Sequence, residues 1–188
     1  AAVGRSGVLQ RPAVQVFLIR HPRPLIEAGV CYGRLDIDCE DPLPVAARLK
    51  AILPPGIPVI SSPLRRARRL AEALADQVRI DERLAEINFG DWEGMRWDDI
   101  ERKAIDAWAT DVSGFTPPGG ESVADLQRRV IDFADSLDCS RVVLVSHAGV
   151  LRALVGHWRR LPFAEWSQLT VDFGSITQIE IDRGTGLP

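Results

Sequence analysis

Cysteine is scarce in this sequence, and its pattern indicates neither a metal site nor a disulfide framework. Cys31, Cys39 and Cys139 are odd in number and lack metal-ligand spacing. Reduced thiols in a cytosolic protein are therefore the expected state. A disulfide between Cys31 and Cys39 in an exported protein is the open alternative.

Long apolar runs are also missing. No stretch approaches the roughly 18 apolar residues that a membrane span requires, and residues 1–13 lack the apolar block of a signal peptide. We therefore predict a flexible leader over 1–13, a cytoplasmic location and no membrane association.

Positive charge is limited in amount and unusual in type. The formal net charge is −3, and only Lys50 and Lys103 among the 23 basic residues are lysines. The sequence thus offers no electrostatic basis for binding nucleic acid. Because arginine is abundant throughout, each arginine is judged by its position.

Apolar residues are plentiful, and their spacing favours an α/β domain. Of the 188 residues, 46% are hydrophobic, which is enough for one sizeable core over 14–188. Short apolar stretches alternate with helical patterns. The span of about 88–120 has no strand pattern and is predicted to form a lid insertion, whereas 176–181 alternates as an edge strand does.

The same patterns predict individual elements. Helical spacing predicts helices over 45–53, 97–110, 122–137 and 150–158. Ser62 and Pro63 suit the N-cap and first turn of a further helix, and Ser122 with Asp125 forms a capping-box pattern. Extended segments are predicted over 57–61, 78–80, 84–87 and 169–173.

Two of the apolar stretches end in histidine. Residues 16–19 lead into Arg20 and His21, and residues 142–146 lead into His147. Ligands in open α/β sheets bind beyond the carboxyl ends of the strands, so both histidines are candidate site residues. Taken alone, Arg20 and His21 after an apolar stretch are more typical of the start of an ordinary solvated loop.

Arg66 lies near the start of the helix predicted after the second strand. A helix N-terminus has free N–H groups and the positive end of a dipole, so an arginine there strengthens an anion site. Four solvated arginines on an exposed helix face are the alternative.

Glu86 and Glu93 flank a glycine-containing turn with aromatic residues. Burial beside an aromatic ring would favour the protonated form of one carboxyl, which could then act as a general acid. The sequence does not say which of the two it is.

These candidates belong to five short motifs along the chain. The motifs are Leu-Ile-Arg-His at 18–21, Ser-Ser-Pro-Leu-Arg-Arg-Ala at 61–67, Leu-Ala-Glu at 84–86 with Phe-Gly-Asp-Trp-Glu-Gly at 89–94, Gly-Gly-Glu-Ser at 119–122 and Val-Ser-His-Ala-Gly at 145–149. In this order they resemble the motifs of the histidine phosphatase superfamily, also called the phosphoglycerate-mutase-like fold. The resemblance extends over about 14–181. It implies a three-layer α/β/α sandwich with a mostly parallel central sheet, an antiparallel edge strand and a helical lid insertion.

The resemblance also implies a reaction. It implies a metal-independent phosphomonoesterase that acts through a phosphohistidine on a small-molecule phosphate ester, without a cofactor. His21 would be the nucleophile and Glu86 the acid that protonates the departing oxygen, and later the base. Phosphate oxygens would be held by Arg20, Arg66 and His147. Further substrate contacts are expected from Tyr32, Gly33, Glu121 and Ala148.

Departures from the family pattern leave the substrate open. Pro22 replaces the usual glycine after the histidine, and Pro24 and Leu70 stand where threonine is common. The loop at 29–36, Gly-Val-Cys-Tyr-Gly-Arg-Leu-Asp, resembles that of alpha-ribazole phosphatase-like members of cobalamin biosynthesis. Residues 37–40 interrupt the continuation of that motif.

Other interpretations stay open at this point. A phosphoglycerate-type mutase and a non-catalytic phosphate-binding protein share the same fold.

His157 matches no motif and is predicted to be a partly exposed structural residue. The sequence does not set the oligomeric state, and a homodimer is one option.

Overall fold

A five-stranded sheet organises residues 13–183, the part of the chain that this computed structural model describes. Its strands are β1 (Val14–Arg20), β2 (Val59–Ser61), β3 (Val78–Ile80), β4 (Arg141–Ser146) and β5 (Ile176–Ile181). The order across the sheet is β3-β2-β4-β1-β5, with four parallel strands and β5 antiparallel to β1. The predicted mostly parallel sheet with an antiparallel edge strand is confirmed. All of the predicted leader except Ala13 lies outside the described residues.

Helices cover both faces of the sheet. They are α1 (Leu43–Lys50), α2 (Arg65–Leu74), α3 (Arg102–Thr110), α4 (Val123–Ser136), α5 (Ala148–Arg159) and α6 (Phe163–Trp166). Apolar residues of α1 and α2 pack on one face, and those of α4 and α5 on the other, which confirms the three-layer sandwich. Within residues 13–183, no helix has the length and apolar character needed to cross a membrane.

The interior strand β1, between β4 and β5, is buried on both faces, which explains its continuous apolar sequence. Val16 and Leu18 pack with α4 and α5, whereas Phe17 and Ile19 pack with α1 and α2. Burial of each such side chain stabilises the fold by roughly 1.5–3 kcal/mol. The strand is thereby held from both sides, and the residues at its carboxyl end have a fixed position.

The insertion at 88–120 and the loop at 29–36 share a small apolar cluster. Trp92, Ile100 and Cys31 are buried in it. The half-buried residues packed around them are mostly aromatic and include Phe89, Trp97, Trp108 and Phe115. The aromatic residues of the insertion therefore support one another outside the main core.

Backbone contacts join the two ends of the insertion. Asp91 N–H donates to the carbonyl of Pro118 at 2.8 Å, and Glu121 N–H donates to the carbonyl of Asn88 at 2.8 Å. Gly90 has a φ of +59°, and a Cβ there would collide with the backbone of the 118–120 segment. Glycine permits both the backbone conformation and the close approach.

The structure corrects three predicted elements. The helix predicted over 97–110 is instead a 3₁₀ turn, Trp97–Asp99, followed by α3, because Ile100 is extended and buried in the aromatic cluster. The segment at 84–87 forms no strand; its first residue, Leu84, ends a 3₁₀ turn, Glu82–Leu84, which Asp81 caps. The segment at 169–173 forms no strand, since arginine side chains bind its carbonyls. The capping box of Ser122 and Asp125 on α4 is confirmed.

Candidate active site

His21 and His147 lie side by side because their strands are neighbours in register. β1 and β4 are parallel, with Arg20 paired to Ser146, so the next residue of each strand emerges at the same edge of the sheet. The centroids of the two imidazole rings are 5.0 Å apart. His21 is 2% exposed and His147 is completely buried.

Hydrogen bonding indicates the tautomer of His21. Its Nδ1 lies 2.6 Å from the carbonyl oxygen of Pro22. Because a carbonyl only accepts, Nδ1 carries the proton and Nε2 of the neutral ring keeps its lone pair. Burial lowers the pKa of His21 to about 3; the cations Arg66 and Arg20 add to this effect, and the Pro22 hydrogen bond opposes it. The imidazole is thus neutral around pH 7 and has an unprotonated Nε2.

The second histidine is held by Ser62, which the sequence predicts as a helix N-cap. That prediction is wrong, because α2 begins three residues later and Leu64 is its N-cap. Ser62 Oγ instead accepts from Leu64 N–H at 3.2 Å and lies 2.8 Å from His147 Nε2. We assign the hydroxyl proton to this second contact, which places the ring proton of His147 on Nδ1. Burial, followed by the charge of His21, lowers the pKa of His147 well below its usual range.

Arg66 is completely buried near the start of α2. Its Nη1 donates to the carbonyl of Leu35 at 2.7 Å, and its Nη2 donates to that of Gly33 at 2.6 Å. Burial lowers the pKa of Arg66, yet a guanidinium stays charged at neutral pH. The loop carbonyls therefore orient a buried cation without neutralising it.

Arg20 is oriented by the segment that precedes β5. Its Nη1 donates to the carbonyl of Val171 at 2.6 Å, and its guanidinium carbon lies 3.9 Å from the centroid of the Phe173 ring. The same ring is 5.7 Å from that of His21. Phe173 thus packs against the two residues at the end of β1 and restricts their side chains.

Three buried nitrogens around His21 have no hydrogen-bond partner. They are Nε of Arg20, Nε of Arg66 and Nδ1 of His147, and no other buried side-chain nitrogen or oxygen within residues 13–183 lacks a partner. A buried donor that stays unpaired costs about 1–3 kcal/mol. All three atoms can donate, so a bound group with several acceptor oxygens would remove these costs.

The Glu86 carboxylate lines the same cavity as His21. Oε1 accepts from the N–H of Ile87 at 3.0 Å, and Oε2 accepts from the N–H of Gly149 at 3.1 Å. Gly149 lies in the first turn of α5. A Cβ at that position would be only 2.5 Å from Oε1, so the contact depends on glycine.

The second carboxylate of the turn, Glu93, has a different place. It accepts from four backbone N–H groups at 2.7–3.3 Å, those of Gly33, Arg34, Leu35 and Phe89. Glu93 therefore ties the loop at 33–35 to the insertion. Since Gly33 and Leu35 supply the carbonyls that bind Arg66, Glu93 supports the buried cation indirectly. The structure thus separates the two candidate acids.

A cavity of about 410 Å³ opens beside His21. Its charged residues are Arg20, Arg66, Glu86 and Arg152, and its other polar side chains besides His21 are those of Tyr32 and Ser167. The rest of the lining is apolar or lacks a side chain: Val30, Ile87, Phe89, Trp97, Trp108, Val112, Val123, Leu126, Ala148, Gly149, Phe163 and Trp166. The cavity therefore has a cationic end and a largely apolar remainder.

Comparisons with known proteins agree with this arrangement. The family model described as histidine phosphatase superfamily (branch 1) matches residues 16–187. The chain belongs to this superfamily. The resemblance inferred from the five motifs is thereby confirmed.

Relatives of this histidine phosphatase carry different substrate names. It is 33% identical to a glucosyl-3-phosphoglycerate phosphatase of Mycolicibacterium vanbaalenii, over 82% of this chain and 78% of the relative. It is 31% identical to an adenosylcobalamin/alpha-ribazole phosphatase of Salmonella typhimurium, over 67% of this chain and 68% of the relative. The native structure of a mycobacterial glucosyl-3-phosphoglycerate phosphatase is similar with a TM-score of 0.74 and 30% identity, covering 89% and 90% of the two chains.

The histidine phosphatase fold brings most of the predicted site residues together. Arg20, His21, Arg66 and Glu86 line the cavity, and His147 lies against His21. Of the four predicted substrate contacts, Tyr32 and Ala148 line the cavity as well. Ala148 begins α5, where the N–H groups of a helix have no intrahelical partner.

The other two predicted substrate contacts are not in the cavity wall. Gly33 donates to Glu93 and accepts from Arg66. Glu121 accepts two hydrogen bonds from Arg129, the shorter of 2.6 Å, and one from Asn88 N–H. Both lie in the network that holds the loop and the insertion together, and a role in substrate contact stays a prediction for them.

Sequence reasoning missed three residues of the site. The sequence predicts helix capping for Ser62 and an extended segment for Phe173. It predicts no role for Arg152, although its position four residues after Ala148 places it one helical turn along the cavity face of α5. That spacing is the only signal that could have found it.

The remaining predictions concern residues away from the cavity. His157 is partly exposed, and its Nε2 lies 3.3 Å from Asp135. Cys31 and Cys39 are buried free thiols, and burial raises the pKa of Cys31 to about 12. The alternative of a disulfide between them is therefore not what the structure has.

Proposed function

We propose that this histidine phosphatase is a phosphomonoesterase that transfers a phosphoryl group first to Nε2 of His21 and then to water. The observation that carries the proposal is the set of three unpaired buried donors around a neutral histidine whose Nε2 is free. A phosphate group has the charge and the several acceptor oxygens that such a set requires. Arginine charge supports phosphoryl transfer by stabilising the phosphate oxygens in the transition state.

In the first step, Nε2 of His21 attacks phosphorus in line with the departing oxygen. The P–Nε2 bond forms while the P–O bond to the leaving group breaks. The ring proton on Nδ1 stays hydrogen bonded to the Pro22 carbonyl, which stabilises the positive charge that develops on the imidazole. Arg20, Arg66 and His147 bind the phosphate oxygens throughout.

Glu86 begins the cycle as the neutral carboxylic acid, gives its proton to the leaving oxygen and becomes a carboxylate. Its carboxyl lies in the cavity with His21 and is held in place by two backbone N–H groups. In the second step a water molecule gives its proton to the Glu86 carboxylate and attacks phosphorus. The P–Nε2 bond then breaks, which releases inorganic phosphate and restores both residues.

The reaction as proposed uses no metal ion. Residues 13–183 contain no group of three or more histidine, cysteine, aspartate or glutamate side chains that could hold one. Arginine side chains and the N-terminus of α5 supply the positive charge instead. Metal independence is a property that the experiment below measures directly.

Alpha-ribazole phosphate is the specific substrate that we propose to test first. The loop at 29–36 resembles that of alpha-ribazole phosphatase-like proteins, and the Salmonella typhimurium relative carries that name. The Mycolicibacterium vanbaalenii relative is named for glucosyl-3-phosphoglycerate, so this ester belongs in the same panel.

The decisive experiment compares the wild type with His21→Asn, whose amide preserves a donor toward the Pro22 carbonyl. Hydrolysis of 4-nitrophenyl phosphate in excess EDTA is expected to proceed in the wild type and to fall at least about 10³-fold in the variant. Alkaline quenching with radiolabelled substrate, followed by peptide mapping, should place the phosphoryl group on His21.

Two results would contradict the proposal. Equal turnover by both proteins would exclude His21 as the nucleophile, and loss of wild-type turnover in EDTA would exclude the metal-independent mechanism. An assay of phosphoglycerate interconversion distinguishes a mutase, because isomerisation without release of free phosphate is the behaviour of that enzyme class.

A further inference from the structure

We infer that the cavity selects phosphate esters whose leaving group carries an aromatic ring system, bound against Trp97 and Trp108 of the insertion. This inference rests on the proposed function, which fixes the position of the phosphate. It goes further by assigning a chemical class to the rest of the substrate.

The two tryptophans form a rigid aromatic surface in the cavity wall. Their rings stack on each other with centroids 5.6 Å apart and an interplanar angle of 19°. Phe89 meets Trp97 edge to face at 5.6 Å, and Trp92 meets both tryptophans edge to face at 6.3 and 6.4 Å. Trp92 itself is 4% exposed, so the surface is anchored on a buried ring.

Rigidity matters because ordering side chains on binding costs free energy. Trp97 and Trp108 are only half-buried, which leaves part of each ring open to the cavity that they line. Aromatic rings gain free energy beyond simple burial when they stack or meet edge to face. A pre-ordered aromatic surface therefore favours a planar ring over a flexible polar chain.

Few polar groups remain for a hydrophilic leaving group. Tyr32 lies under the Arg66 guanidinium, 5.3 Å from ring centroid to guanidinium carbon. Arg152 donates through Nε to the carbonyl of Leu169 at 2.7 Å. Burial lowers the pKa of Arg20, and the nearby charge of Arg152 adds to this effect. Arg152 thus belongs to the cationic end of the cavity.

That assignment leaves the hydroxyls of Tyr32 and Ser167 and the indole N–H groups of the tryptophans as the polar side-chain groups among the apolar walls. A leaving group rich in hydroxyl, carboxyl or ammonium groups would lose more hydrogen bonds to water than these few groups can replace, and each unpaired polar group costs free energy. An aromatic leaving group has no such requirement.

The experiment uses three esters of primary alcohols, so that the chemistry at the departing oxygen is similar. They are 2-(1-naphthyl)ethyl phosphate, ethyl phosphate and phosphoserine. We expect kcat/KM for the naphthyl ester to exceed that for ethyl phosphate at least about tenfold, with phosphoserine no better than ethyl phosphate. Equal values for the first two esters, or a preference for phosphoserine, would overturn the inference.

Variants test whether the two tryptophans cause the preference. Trp97→Ala and Trp108→Ala should each reduce the naphthyl-to-ethyl ratio at least about threefold, since each removes part of the aromatic surface. Lys103→Ala, an exposed change on α3, is the matched control and should leave the ratio unchanged. A ratio that survives both tryptophan changes would show that other residues select the leaving group.

Binding separates failure of this inference from failure of the proposed function. The corresponding phosphonates, 2-(1-naphthyl)ethylphosphonate and ethylphosphonate, cannot be hydrolysed, and calorimetry gives their Kd for the wild type directly. Tighter binding of the naphthyl compound without turnover of any ester would sustain the aromatic preference while refuting the phosphatase mechanism. Turnover with equal binding of both phosphonates would refute only the aromatic preference.

Discussion

The backbone N–H of Gly149 donates to Oε2 of Glu86 at 3.1 Å, and a methyl group on Gly149 would stand 2.5 Å from the other carboxylate oxygen. The position of the proposed acid thus depends on the absence of a side chain 63 residues away in sequence. The Val-Ser-His-Ala-Gly motif therefore requires glycine at this position for a steric reason, because any side chain would collide with the Glu86 carboxylate.

Gly149→Ala is expected to displace the Glu86 carboxylate while the nucleophile stays in place. Because ethoxide is a poor leaving group that needs protonation, kcat for ethyl phosphate should fall about 10²-fold. Hydrolysis of 4-nitrophenyl phosphate should fall much less, since 4-nitrophenolate departs readily without a proton. Steady-state kinetics on both esters provide the comparison.

The control for this change is Gly56→Ala. Gly56 has a φ of +75° and no atom within contact distance of an added Cβ, so the variant carries backbone strain without reaching the site. Its kinetics should match the wild type. If Gly149→Ala reduced turnover of both esters equally, the idea that Gly149 acts through Glu86 would fail.

Neighbouring arginines on α2 provide a second prediction. Arg66→Lys keeps the charge but cannot bind both loop carbonyls and the phosphate at once. We expect kcat/KM for phosphate esters to fall about 10²–10³-fold, and inorganic phosphate to become a weaker competitive inhibitor. Arg68→Lys is the matched control, because Arg68 is exposed and pairs with Glu72 one turn along the helix at 3.3 Å. Unchanged inhibition by phosphate in Arg66→Lys would exclude Arg66 as a phosphate ligand.

The sequence predicted the site better than its surroundings. His21 and His147 each follow an apolar strand, and ligands bind beyond the carboxyl ends of such strands, so the sequence places both histidines at the same edge of the sheet; their direct contact also requires the pairing of β1 with β4. Arg66 was one of four arginines, and only the burial of one face of α2 distinguishes it. Patterns of local sequence contain these relationships.

Other features depend on contacts that no local pattern contains. Ser62 has the right residue type and spacing for an N-cap, but its hydroxyl is used by His147, 85 residues away. Glu86 and Glu93 belong to the same turn, and only the fold determines which one reaches the cavity and which one binds the loop at 33–35. Arg152 and Phe173 lie outside the recognised motifs, and their contact with the site arises from packing alone.

The loop function of Glu93 leads to a third prediction. In Glu93→Gln, one carboxylate oxygen becomes an NH₂ group that faces backbone N–H donors, so at least one hydrogen bond to a charged acceptor is lost. The free energy of unfolding should decrease by about 2–3 kcal/mol, measured by urea denaturation. KM for a phosphate ester should rise as well, since the carbonyls that orient Arg66 belong to this loop.

Glu101→Gln is the comparison for this prediction. Glu101 is exposed and makes no side-chain capping hydrogen bond, so its replacement should change the free energy of unfolding by less than about 0.5 kcal/mol. Equal stability of the two variants would mean that the contacts of Glu93 with the loop contribute nothing measurable.

The fourth prediction concerns pH and the two buried histidines. An unfolded histidine has a pKa near its ordinary value of 6.5, whereas folding lowers the pKa of His21 to about 3 and that of His147 well below 6.5. Between pH 6.5 and about 3 the unfolded chain therefore binds more protons than the folded one. It follows that the free energy of unfolding falls as pH falls through this window, by up to about 1.4 kcal/mol per pH unit for each histidine.

Urea denaturation between pH 7.5 and 4.5 tests this, in buffers free of phosphate because a bound anion would favour the charged histidines. In His21→Asn the free energy of unfolding should decline less steeply than in the wild type, since only one of the two buried histidines, His147, then takes up a proton on unfolding. Gly56→Ala, which changes no ionisable group and has no atom near an added Cβ, should decline as the wild type does. If the free energy of unfolding of His21→Asn and of the wild type fell equally with pH, folding would not lower the pKa of His21. A nucleophile that stays neutral down to acidic pH would then be excluded.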